Sequence, residues 1–323
     1  MIEARVVCDS ISPAGIRLTT MQLRYPKFIH GEFMTHRVFS RNASSSRAVP
    51  TAKLLEEARS DALRAAPVFW GKNQPGMQAA EELGNVVKRA RAAIIGRTEE
   101  TTDRELAEFA WAGAAITAAG FAEIMLASGA HKQIVNRLLE PFLHINVVVT
   151  ATEWDNFFGL RLDAAAQPEM RALAEAMWKV RNESRPEHLL PGDWHLPFVS
   201  VEDDWPEING GGVTTQDQVD VMIRISVARC ARVSYLSNDT GRRSTVEEDL
   251  KLYDRLLGGQ PIHASPAEHQ ATPDVMGDDY SRSKYGIIRW ENLSQHGNLR
   301  GWRQYRKMLP NEAVAPLPKE YQS

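Results

Sequence analysis

Apolar residues recur along this chain with two different periods. Residues 4–8 and 16–25 show partial alternation of apolar and polar positions around a Ser/Pro/Gly turn, which predicts two neighbouring strands, the second stopped by Pro26. Residues 53–66 are rich in Ala, Leu, Glu and Arg and predict a helix. Residues 69–76 read as a loop by their Gly, Asn and Pro content, and residues 78–95 as a further helix. Thr102, Asp103 and Glu105 form a helix-start signal. The alanine-rich stretch over 108–128 that follows is apolar nearly all round, so it is expected to be central and buried. Gly129 ends it, a short helix over 132–139 is closed by Pro141, and the β-branched residues 142–152 predict a strand. Helices over 155–162 and 168–182 complete the first half.

Residues 184–217 are rich in Pro, Gly, Asp and Trp, include Gly210, Gly211 and Gly212, and read as an irregular connection. Beyond it, residues 218–231 and 246–257 look helical. The tail over 274–323 is polar, aromatic and basic in patches, with Arg282, Lys284, Arg289, Arg300, Arg303, Arg306 and Lys307. The expected organisation is a core over 1–183, the connection, and a segment over 218–323 that belongs to the same domain.

Composition narrows the classes. With 323 residues, 43% hydrophobic and 24% charged, the chain has the balance of a globular protein and excludes disorder, collagen and coiled coil. Its 38 Lys+Arg against 41 Asp+Glu give a net charge of -3, which argues against bulk nucleic-acid binding and makes any anion site local. No run reaches the roughly 20 apolar residues of a membrane span, and the first residues lack a signal-peptide layout. The expectation is a cytoplasmic protein (host cytoplasm if phage-encoded) without a membrane partner. Cys8 and Cys230 cannot build a disulfide framework and read as two buried thiols. In the tail, Tyr280, Tyr285, Trp290, Trp302 and Tyr305 interleave with arginines, a pattern that suits nucleic-acid stacking or, better given the charge, a subunit interface.

The densest polar cluster is His36-Arg37-Val38-Phe39-Ser40-Arg41-Asn42-Ala43-Ser44-Ser45-Ser46-Arg47. Small donors and guanidinium forks on a turn-prone segment are phosphate-binding chemistry, although a Ser-rich turn that caps the helix at Lys53 has the same composition. His263, Glu268 and His269 lack the H-E-x-x-H spacing, so no metal site is expected.

The spacing His36-Arg37, Ser40, Asn42, Ser45, Arg47 resembles the signature of the flavin-dependent thymidylate synthases. Tyr25-Pro26-Lys27-Phe28, the stretch from Ser128-Gly129 through Arg137-Leu138-Leu139-Glu140-Pro141, and Asn156-Phe157-Phe158-Gly159-Leu160-Arg161 are similar to further segments of that family. Ala231-Arg232-Val233-Ser234-Tyr235 and His263-Ala264-Ser265-Pro266-Ala267-Glu268-His269 resemble segments that open the chain in the family but come last here. The resemblance therefore points to a divergent, circularly permuted, phage-type member, which is sterically reasonable where termini lie close together.

The resemblance implies an α/β (α+β) fold with long central helices, a mixed or antiparallel sheet and permuted segment order. It implies FAD as cofactor, NADPH and methylenetetrahydrofolate as co-substrates, a pyrimidine deoxynucleotide monophosphate as substrate, and a homotetramer with shared active sites. By position, Ser45, Ser46, Arg47 and Arg137 would hold the nucleotide phosphate, and Glu32 would stand near the base. Arg161 would contact the pyrimidine and stabilise its developing charge, and Thr35, His36, Arg37, Asn156 and His269 would contact the flavin. Thr35, Ala43, Ala48 and Ala267 replace the family's arginine, glutamate, tyrosine and phenylalanine, and the N-A-R segment near Thr150 to Thr152 is missing, departures that bear on the flavin more than on the phosphate. The implied reaction converts dUMP to dTMP by one-carbon transfer to C5. The alternatives are a hydroxymethylase or methylase of dUMP or dCMP that makes a modified DNA precursor, for which a carboxylate at Glu32 would suit the cytosine amine, and a nucleotide-binding relative without catalysis.

Overall fold

The computed structural model describes residues 2–60, 63–84, 87–89, 100–200, 204, 208, 215–234, 244–259, 262–277, 290–310 and 312. Its strands are β1 (Glu3–Ile11), β2 (Arg17–Pro26), β3 (Ser40–Ala43), β4 (Val87–Arg89), β5 (Glu100–Thr102), β6 (His144–Ala151), β7 (Glu187–His188), β8 (Ala271–Pro273) and β9 (Trp302–Gln304). Its helices are α1 (His30–Phe33), α2 (Thr51–Ser60), α3 (Asp103–Ala127), α4 (Lys132–Val135), α5 (Asp155–Arg161), α6 (Pro168–Glu183), α7 (Gln216–Ala231), α8 (Val246–Leu257) and α9 (Tyr305–Met308). The fold is mixed α/β, as the resemblance implied.

A five-stranded sheet runs in the order β3-β6-β2-β1-β7. β1, β2, β6 and β3 pair antiparallel, and β7 adds a short parallel edge beside β1. A register shift between Val6 and Cys8 interrupts the ladder within the first strand. The period of two sorts the two faces. Met21, Leu23 and Tyr25 of β2 and Ile145, Val147 and Val149 of β6 meet Trp154, Phe157 and Phe158 around α5 and Met170, Leu173 and Met177 of α6. Intervening positions point the other way, where Leu18 packs with Leu299 and Trp302, and Val148 with Cys230 and Val233. Residues from beyond the connection thus cover the second face of the sheet.

Several expectations change. The helix expected over 53–66 is α2, shifted to start at Thr51 and ending at Ser60. No helix forms over 78–84, where irregular chain bridges Gly71 to Glu82, and β4 occupies part of the remainder. Pro141 lies inside a 3-10 turn over Asn136–Phe142 rather than after the helix. The largest difference is α3, which is long but not central. Only Ala115, Ala119 and Ala122 are buried, whereas Ile116, Phe121 and Ile124 are 54%, 59% and 61% exposed. The reason is that α5, α6 and the C-terminal segments already cover the sheet, and α3 packs on α2 through its small residues. By length and hydropathy alone α3 is also the one helix among the described residues apolar enough to cross a bilayer, whereas the sequence led us to expect none. Gly210 to Gly212, Tyr235, Tyr280, Arg282, Lys284, Tyr285, Arg289 and residues 90–95 lie outside the described residues.

Candidate functional site

The polar cluster is laid out along β3, an edge strand bonded to β6 alone in the sheet. Residues 35–37 precede the strand and residues 45–47 follow it, so its four residues separate the two halves of the cluster by about 10 Å. The segment expected to be a turn is therefore a turn, a strand and a second turn.

The second turn is built by one buried amide. Asn136 is fully buried, donates to the carbonyls of Ser46 and Val49 at 2.7 and 3.1 Å, and accepts from the Thr51 hydroxyl at 2.8 Å. That frame turns Ser45 and Arg47 toward a cleft of about 520 Å³. His131 and Gln133 at the start of α4 form one wall, and His263 and Ser265 form another. Segments more than 200 residues apart in sequence meet here. Among the described residues that line the cleft none is acidic, while hydroxyls, imidazoles, two amides and a guanidinium all can donate, so the cleft suits an anion.

Ser46 and Arg137, expected at the phosphate, do not line this cleft. Both turn to Glu140, whose Oε1 accepts from Ser46 Oγ at 2.5 Å, Lys27 Nζ at 2.6 Å and Arg137 Nη1 at 2.8 Å. Burial raises the Glu140 pKa, but the bonds from Lys27 and Ser46 and the nearby charges outweigh it, and the carboxyl stays below its ordinary value. Sequence reasoning missed Asn136 and Glu140 because an amide and a carboxylate inside a helical run carry no signal of their own.

The first turn presents a second polar group. Arg161, at the end of α5, donates from Nε to His36 Nε2 at 2.9 Å and reaches the Thr35 hydroxyl at 3.4 Å, which in turn donates to the Glu32 carbonyl at 2.7 Å. His36 stacks on Phe39 and meets the edge of Phe157. Burial, then the Arg161 and Arg41 charges, push the His36 pKa down to about 4, so the ring is neutral and its Nε2 accepts. Arg37, Asn156 and Glu32 are exposed.

His269 lies elsewhere. It is fully buried, its Nδ1 bonded to Thr150 Oγ1 at 2.8 Å, and its Nε2 finds no partner among the described residues. Thr150 bonds Thr20 at 2.6 Å, Thr20 bonds His195 Nε2 at 2.8 Å, and His195 Nδ1 bonds Ser10 at 2.9 Å. The expected flavin contact is thus a sealed interior residue in a polar chain between the sheet and the C-terminal segments.

The family model for the thymidylate synthase complementing protein matches residues 12–187. The chain belongs to that family, the flavin-dependent thymidylate synthases. Its signature residues from Thr35 to Arg47, and Arg137, Asn156 and Arg161, lie inside the match, while Ala231 to Ser234 and His263 to His269 lie outside it. No curated protein matches the sequence. Among solved structures, the chain is similar to a UMP/dUMP methylase PolB from Streptomyces cacaoi bound with 5-Br UMP. That likeness has 17% identity and a TM-score of 0.38, and covers 57% of this chain and 89% of that one. The same methylase bound with 5-Br dUMP gives 16% identity and a TM-score of 0.37, with 57% and 90% covered.

The family's flavin is tested by the donors themselves. Thr35, Arg37 and Asn156 are exposed and offer a hydroxyl, a cation and an amide, donor chemistry that fits a dinucleotide diphosphate and its polar edges. His269 does not join them in this arrangement. Among the described residues, no three His, Cys, Asp or Glu side chains converge in a way that could hold a metal ion.

Proposed function

We propose that this chain transfers a one-carbon unit from methylenetetrahydrofolate to C5 of dUMP, giving dTMP. The observation that carries the reading is the cleft, with no acidic lining among the described residues, in which Ser45 and Arg47 of the family signature meet His263 and Ser265. FAD, reduced by NADPH, would supply the reducing equivalents when bound. Thr35, Arg37 and Asn156 would hold it.

Ser45 Oγ and the Arg47 guanidinium bind the nucleotide phosphate, with His131 and His263 as additional donors at the wall. Arg161 stabilises the negative charge that develops on the pyrimidine. Its bond to neutral His36 fixes the guanidinium before substrate arrives, so little reorganisation is needed. No thiol is called upon as nucleophile. Burial pushes the Cys8 thiol up to about 12 and raises Cys230 as well, so both stay protonated at neutral pH.

Arg47 and Arg161 lie beyond opposite ends of β3, an arrangement that lets a nucleotide with its phosphate on Arg47 draw its Arg161 from another copy. The exposed Ile116, Phe121 and Ile124 of α3 supply an apolar face for that assembly, a homotetramer with shared active sites. The meeting of residues 263–266 with the signature at one cleft supports the reading of residues 228–271 as circularly permuted.

A second reading, reaction with dCMP or a hydroxymethyl product, is favoured by Glu32, an exposed residue whose backbone carbonyl accepts from Thr35 and whose carboxylate can accept from an exocyclic amine. Mass spectrometry of the product with FAD, NADPH, methylenetetrahydrofolate and either dUMP or dCMP tests both. The expected product is dTMP from dUMP alone, with Arg47→Ala weakening dUMP binding at least about tenfold. Reaction with dCMP, lost in Glu32→Gln, would replace the first reading by the second. Nucleotide binding without turnover would leave a non-catalytic relative.

A further inference from the structure

The segment after β8 lies outside the family match, yet it is built into the family's signature. Asn298 Nδ2 donates to the Val38 carbonyl at 2.8 Å, and the same amide bonds the Ser40 hydroxyl at 3.0 Å. Gln304, buried at the end of β9, donates from Nε2 to Asn298 Oδ1 at 2.9 Å, to the Glu268 carbonyl at 3.1 Å and to Ser40 Oγ at 3.3 Å. Two tail amides therefore grip the exit of the turn that carries Thr35, His36 and Arg37, and one of them also grips residue 268.

The grip is rigid for reasons local to the tail. Gly297 adopts φ 56°, a left-handed conformation that favours glycine, and a Cβ there would come within 2.6 Å of Gln304 Oε1 and push that amide aside. Leu299 and Trp302 are fully buried beside Leu18, and Trp302 Nε1 bonds the Ile16 carbonyl at 3.2 Å. Asp274 accepts from Asn292 at 2.9 Å and pairs with His296 at 2.8 Å, which closes the loop from the other side. By contrast, Ser45 and Arg47 hang from Asn136 and from the Ser44–Asn146 bond, supports that do not involve the tail.

We infer that Asn298 and Gln304 are positioning residues for the flavin side of the site, holding the Val38 carbonyl and the Ser40 hydroxyl so that Thr35, His36 and Arg37 keep their places. The inference rests on the proposed function, because it takes the turn over 35–39 as the flavin-binding turn. A merely structural tail would affect both halves of the signature alike. A positioning tail affects the turn before β3 and spares the turn after it.

The test uses the full chain and its Asn298→Ala, Asn298→Asp and Ser40→Ala variants. Three quantities are read: FAD affinity by flavin fluorescence quenching, dUMP affinity by calorimetry, and the thermal midpoint. The expected result is an FAD Kd raised about tenfold with dUMP affinity within about twofold of the parent chain, and a double Ser40→Ala/Asn298→Ala variant no worse than either single one. Asn298→Asp, which keeps the acceptor for Gln304 and loses the donor to Val38, should show the same split even if Asn298→Ala unfolds. Equal weakening of FAD and dUMP, or unchanged affinity for both, overturns the inference alone. A parent chain that binds neither FAD nor dUMP overturns the proposed function and the inference with it.

Discussion

His195 and His269 sit fully buried in the polar chain from Ser10 to Thr150, and burial pushes both down to about 3 from an ordinary value of 6.5. Because the folded pKa is the lower one, their stabilising effect is whole above pH 6.5 and is lost as pH falls toward 3, where the unfolded chain takes up protons the folded one refuses. Each such histidine costs about 1.4 kcal/mol of stability per pH unit within that window. Urea-unfolding midpoints should therefore fall between about pH 6 and about pH 5, and His195→Gln should flatten the slope by one histidine's share; an unchanged slope would show that His195 is charged in the fold. The chemical types at the signature were legible from spacing alone, since Ser45, Arg47 and Arg161 are donors wherever they stand. Their partners were not. Ser46 and Arg137 read as phosphate ligands and in the fold both bond Glu140, and nothing in the order of residues shows that Glu140 and Ser46 are neighbours.

Elements followed the sequence where local signals and burial agreed. β2 and β6 carry the apolar alternation or β-branched run of a sheet interior, and α8 spans Val246–Leu257 with a capping box at Thr245 and Glu248. α3 begins where Thr102 and Glu105 announced it, with Thr102 Oγ1 accepting from the Glu105 amide at 3.1 Å and Glu105 Oε2 from the Thr102 amide at 2.8 Å. Thr102→Ala should cost about 1 kcal/mol, seen as a lower urea midpoint together with faster amide exchange at Glu105; exchange that stays protected would mean the first turn is held by something else. What the pattern misjudged was burial. A helix apolar on every side reads as a core helix, but a hydrophobic count cannot tell packing inside one chain from packing between copies.

At the scale of the whole molecule, that exposed helix and the split signature make one prediction. If copies assemble through α3 and share sites, Phe121→Glu with Ile124→Glu should convert the assembly to monomers by light scattering and abolish turnover. Mixing the separately impaired Arg47→Ala and Arg161→Ala chains at low dUMP should restore part of the activity, because some sites then draw both arginines from intact copies. Failure of the mixture to recover any activity would place both arginines of each site on one chain. The sequence by itself determined the secondary elements with strong periodicity, the family signature and the donor chemistry of its residues, because these depend on neighbours a few positions apart. Only the tertiary structure decided that residues 263–266 and 298–304 close on the signature, that His269 is sealed, and that α3 faces outward. Those outcomes depend on which faces of the sheet are already covered, a competition for buried area among segments up to 200 and more residues apart.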